Sequence, residues 1–82
     1  MLMKIILTAL NYLLQNKRLI LTEDGDIQTI ATDILQKMPD AAFGSHFGSW
    51  LGKELIGHTM VEELFATDKE LKNVLQDMDF YN

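Results

Sequence analysis

The first helix-forming stretch carries its polar residues at Lys4, Thr8, Asn11 and Gln15. Those steps of four, three and four draw one narrow stripe along a helix. Leu2, Ile5, Ile6, Leu7, Ala9, Leu10, Leu13 and Leu14 make the rest of its circumference apolar. A helix with so thin a polar face demands burial on most sides, and the chain has only 82 residues with which to cover it. A chain of this size buries only about 60% of the surface its unfolded form exposes. The helix over 2–16 is therefore expected to be the centre of one small domain spanning 1–82, or half of a homodimer interface. Lys4 followed by the run Ile5–Leu10 superficially reads as a secretory leader. However, Asn11 and Tyr12 interrupt it, and Gln15-Asn16-Lys17-Arg18 offers no small-x-small cleavage site. About ten apolar residues are too few to span a bilayer. The expectation is a cytoplasmic protein with no membrane partner, and the absence of cysteine fits a reducing compartment.

The second helix has the clearest pattern. Ile27, Ile30, Ala31, Ile34, Leu35 and Met38 occupy positions i, i+3, i+4, i+7, i+8 and i+11. Asp26 is placed to cap its N-terminus, where negative charge is favoured, and Pro39 stops it, since a residue before proline avoids the α region. Between the two helices, Glu23-Asp24-Gly25-Asp26 reads as a turn in which Gly25 is free to take positive φ. Leu19–Thr22 is open between a short strand and the end of the first helix. The acidic turn imitates the middle of a calcium loop, but placing Gly25 at the sixth position puts Ile20 first and Ala31 twelfth, where ligands are required. No metal site is expected.

A third helix is expected over 43–56. Phe43, Phe47, Trp50, Leu51 and Leu55 fall on one arc, and Gly44, Gly48 and Gly52 recur beside it at steps of four. Each helical glycine costs about 1 kcal/mol relative to alanine, so something must offset three of them. One explanation is close approach of a neighbouring helix; a second is close approach of a ligand or partner backbone, including a second copy of the chain; a third is that the segment is not one continuous helix. The opposite side presents Ser45, His46, Ser49 and Lys53, with Trp50 at the border. These five residues form the candidate partner-binding face. Gly57 is placed to end this helix. Thr59 with Glu62 reads as a capping box opening a further segment with Val61, Leu64 and Phe65 inward. Thr67 with Glu70 repeats the device before a last helix bearing Leu71, Val74, Leu75 and Met78. The acidic tail Asp77–Asn82 carries Phe80 and Tyr81. The fold class expected is all-α: a compact bundle of four to five short helices with a helix-turn-helix-like middle.

Chemistry is sparse. His46 and His58 stand in no pattern that presents metal ligands on one helical face. Glu62 lies four residues after His58 and suits an ion pair. Ser45-His46 adjacency makes no triad, because triads are spatial, and the glycines lack the lysine and preceding strand of a phosphate loop. The expectation is no enzyme and no cofactor. The net charge is −5, which opposes binding to phosphate. Lys4, Lys17 and Arg18 make the N-terminal part basic. Residues 23–54 then set six acids against Lys37 and Lys53, and the stretch from Thr59 sets six against Lys69 and Lys72. Acidic surfaces steer toward basic partners. The expected function is therefore a small acidic regulator acting by protein–protein interaction, such as an inhibitor, an adaptor or an antitoxin- or immunity-like protein. Its partner would be basic or itself nucleic-acid-binding. The alternative is a helix-turn-helix DNA-binding regulator reading with the helix at 43–56, and the charge disfavours it.

Overall fold

The computed structural model describes residues 2–39 and 46–77. Its elements are α1 (Leu2–Gln15), β1 (Leu19–Leu21), α2 (Ile27–Lys37), α3 (Phe47–Ile56), β2 (Val61–Leu64) and α4 (Asp68–Asp77). The protein is mostly helical, as expected. The segment left open at Leu19–Thr22 forms the strand β1, and the departure is its partner β2, which joins it in a two-stranded antiparallel ribbon. Phe43, Gly44, Ser45, Met78, Phe80 and Tyr81 lie outside the described residues.

The polar stripe predicted for α1 is its solvent face: Lys4, Thr8, Asn11 and Gln15 are exposed, and the Thr8 hydroxyl donates to the Lys4 carbonyl at 2.8 Å. Ile6, Ala9, Leu10 and Leu13 are buried. The helix ends in a two-bond lock: Arg18 N–H donates to Leu13 C=O at 2.8 Å and Lys17 N–H to Leu14 C=O at 3.1 Å. This is the Schellman arrangement, whose left-handed residue is usually glycine. Here it is Lys17, at φ 58°, the one non-glycine residue with positive φ among those described. Gly25, expected to take positive φ, serves the turn by its missing side chain instead. A Cβ there would lie 2.7 Å from Leu21 Cβ and 2.9 Å from the Met60 carbonyl oxygen.

Asp26 caps α2 through its carboxylate, which accepts from the N–H groups of Gln28 and Thr29 and from the Thr29 hydroxyl. Met38, before Pro39, is extended at φ −69° and ψ 118° and closes the helix. Ile30, Ala31 and Ile34 are buried, and α2 packs principally on α1. In the other half α3 packs principally on α4, joining Phe47, Leu51 and Leu55 to Leu71 and Val74 in the shared core. Contacts between α2 and α3 are few among the described residues, whereas the second and third helices of a helix-turn-helix pack on each other.

The segment after Gly57 corrects the sequence reading. Thr59 and Met60 form a turn and Val61–Leu64 is a strand. The Thr59/Glu62 spacing suits a capping box, but β1 offers unpaired backbone groups that a short helix at 61–64 would leave unsatisfied. Leu19 pairs with Leu64, Ile20 with Glu63 and Leu21 with Val61, with a register shift between Ile20 and Leu21. Phe65 N–H to Arg18 C=O at 2.7 Å and Thr22 N–H to Met60 C=O at 2.9 Å extend the ladder at both ends. Alternation turns Leu19 and Leu64 toward the core and leaves Phe65, expected inward, half exposed. Thr67 does cap α4, its hydroxyl accepting from Glu70 N–H at 3.2 Å. The Glu70 carboxylate, rather than returning to the cap, pairs with Arg18 at 3.2 Å. No helix among the described residues is long and apolar enough to cross a membrane.

Candidate interaction surface

Helical spacing fixes what α3 shows to the outside. Phe47, Gly48, Leu51, Gly52 and Leu55 are buried, so the remaining arc faces away from the core. His46 precedes the helix as its N-cap, makes no side-chain capping bond, and is exposed. Lys53 is exposed one helical face further on, with Ser49 partly buried between them. Trp50 stands at the border as predicted: partly buried, its ring tilted 47° against Phe47 with centroids 6.2 Å apart. That edge contact fixes the indole from below and leaves its outer part on the surface. Ser45 lies outside the described residues.

The structure adds a residue that the sequence reading left out. Ile56 continues the series His46, Ser49, Lys53 by a further three positions and is 72% exposed. The spacing was available in the sequence, but a terminal isoleucine beside Leu55 reads as core. The outer face of α3 is thus a short polar strip with one cation, bordered by an indole and ended by a bare aliphatic side chain.

Gly48 of α3 serves the chain's own packing. Gly48 is buried against α4: a Cβ there would sit 3.0 Å from Lys72 Cγ and 3.2 Å from Lys72 N. Close approach of α4 accounts for Gly48 without a ligand. On α1, Ile6, Ala9, Leu10 and Leu13 are covered by the chain itself, while Met3, Ile5, Leu7 and Leu14 are only partly buried.

His58 is placed by tertiary contact rather than by sequence spacing. Its Nε2 lies 3.1 Å from Asp33 Oδ2 on α2, and its Nδ1 accepts from Met60 N–H at 3.1 Å. Nδ1 as acceptor leaves Nε2 as the protonated nitrogen, donating to the carboxylate. The imidazole, 8% exposed, thus joins α2 to the entry of β2. The expected partner, Glu62, is on the strand and is not the one used. His58 thus acts as a structural link.

Compared with protein-family models, curated proteins and solved structures, the chain matches none.

Proposed function

We propose that this protein is a small, acidic, non-enzymatic interaction module, a regulator that works by occupying a partner protein, in the cytoplasm. The observation that carries the reading is the outer face of α3, where Ile56 and the Trp50 border are held at the surface beside His46 and Lys53. A rigid aromatic border with an exposed aliphatic neighbour is the composition that concentrates binding energy in protein interfaces. Support for a DNA-reading role is weaker. The face offers a single cation, Lys53, offset by Glu54 in the same helix, where phosphate contacts would have to supply most of the affinity. The packing of α2 principally on α1 and of α3 principally on α4 among the described residues also gives that role little support.

Two measurements test this. Labelled mixed-sequence duplex DNA should show no anisotropy change at about 50 mM salt. Binding that collapses by about 200 mM would overturn the reading in favour of DNA. Capture of partners from a native lysate should then be lost in Trp50→Ala, Lys53→Glu and Ile56→Ser while thermal midpoints stay near the parent's. Folded variants that capture the same proteins would remove α3 from the interface.

A further inference from the structure

The acidic charge of the molecule and the outer face of α3 do not coincide, and the ribbon is where carboxylates and exposed apolar side chains meet. In an antiparallel pair, directly opposed residues share a face with their diagonal neighbours. With Ile20 opposite Glu63 and Phe65 bonded across to Arg18, the outer face carries Arg18, Ile20, Glu63 and Phe65. Ile20 is 41% and Phe65 52% exposed. Two large apolar side chains on adjacent strands of one open face form a contiguous patch rather than scattered exposure.

The charges around this patch are uneven. Arg18 is engaged by Glu70 at 3.2 Å. Glu63 lies within the patch, Glu62 beside it on the strand, and Glu23 and Asp24 in the turn that follows β1; all four are exposed and none has an ion-pair partner among the described residues. Asp26, the remaining acid of that turn, is consumed by the α2 cap. Lys17, also exposed, stands at the opposite end of β1 from the turn. The surface therefore runs from an apolar centre into a carboxylate-rich end.

We infer that the outer face of the β1–β2 ribbon, Ile20, Glu63 and Phe65 with Glu62, Glu23 and Asp24, is a docking surface for a basic amphipathic segment of a partner protein. The segment's apolar residues cover Ile20 and Phe65, and its Lys or Arg side chains lie over the carboxylates. The inference rests on the interaction-module reading and assigns the chemistry of the partner to a surface separate from α3. Complementary charge of this kind governs encounter and register while the apolar contacts supply affinity.

The test is an amide chemical-shift titration of the full chain with a capped peptide of about ten residues alternating Lys and Val, against its Glu-for-Lys twin. The expected result is shifts centred on residues 18–24 and 61–65 with the Lys peptide, weakening as salt rises from about 50 to about 200 mM, and none with the twin. Glu63→Lys, which removes one exposed ion pair worth up to about fivefold and puts a like charge in its place, should weaken binding about fivefold, and Lys53→Glu should not. Phe65→Ser should weaken it too; if that variant loses its fold, Glu63→Lys decides alone. No response to the Lys peptide at millimolar concentration, or an equal response to the twin, overturns the inference. Shifts confined to 46–56 overturn it as well but leave the interaction-module reading standing, which fails instead if lysate capture is unaffected by variants of both surfaces.

Discussion

The two helix pairs of this protein are packed by opposite means. Between α1 and α2, side-chain volume fills the space: Ile6, Leu10 and Leu13 with Ile30 and Ile34 are all buried. Between α3 and α4, the absence of volume does the same job, with Gly48 letting the Lys72 backbone come within 3.2 Å of where a Cβ would be. An interface built from branched aliphatics is sensitive to what is removed from it; one built on a glycine is sensitive to what is added. Both solutions belong to the same continuous core, so the comparison can be tested by substitutions of opposite sign.

The largest effect is expected at Leu10→Ala. The residue is fully buried, and such a truncation destabilises by about 3–4 kcal/mol, partly through the cavity left behind. Urea unfolding checks this, and a midpoint close to the parent's would show that the α1–α2 side is loosely packed. Next comes Gly48→Leu, where overpacking should remove about 3 kcal/mol. Gly48→Ala should be far milder, because the helix propensity gained by alanine, about 1 kcal/mol, opposes the tight contact with Lys72. If Gly48→Leu unfolds at the parent's urea concentration, the contrast between the halves is wrong. The smallest effect has the opposite sign. Lys17→Gly relieves a left-handed residue and should stabilise by up to about 1 kcal/mol; a clear loss of stability would mean that the Lys17 side chain contributes more than its backbone strain removes.

The same two halves differ in how far the sequence discloses them. Everything about α2 is local: a period of apolar residues, an acid in the capping position, a proline behind it. The structure reproduces each of these, with the helix ending at Lys37. The polar stripe of α1 is equally local. By contrast, β2 became a strand because β1 lies beside it, and no property of Val61–Leu64 alone announces that. Leu19–Leu21 carries the same ambiguity, since three residues become a strand only when paired. His58 chose Asp33 rather than Glu62 for the same reason: the partner is distant in sequence and adjacent in space.

Glycine illustrates the limit at single positions. Gly25 and Gly57 invite a left-handed backbone. Yet Gly57 caps α3 at φ −87°, Gly25 is required by steric contact, and the left-handed residue is a lysine. Of the candidate partner-binding residues, His46, Ser49, Trp50 and Lys53 do share the outer side of α3. Ile56 joins them only once its exposure is known, because hydrophobicity read along a sequence does not distinguish the last buried turn from the first bare one.

The ribbon has a further consequence, for the order in which the molecule can assemble. Its strands are separated by the whole of α2 and α3, whereas α3 and α4 are divided only by β2 and its flanking turns, and α1 and α2 only by β1 and its turn. Short loops close at a small entropic cost and long ones at a larger cost, and chains gain speed from contacts near in sequence. Topology therefore assigns the helix pairs to the early steps and the ribbon to the last, as the seam that joins two locally formed halves. The strand pairing that no local pattern predicts is thus a second join between halves that already share one core.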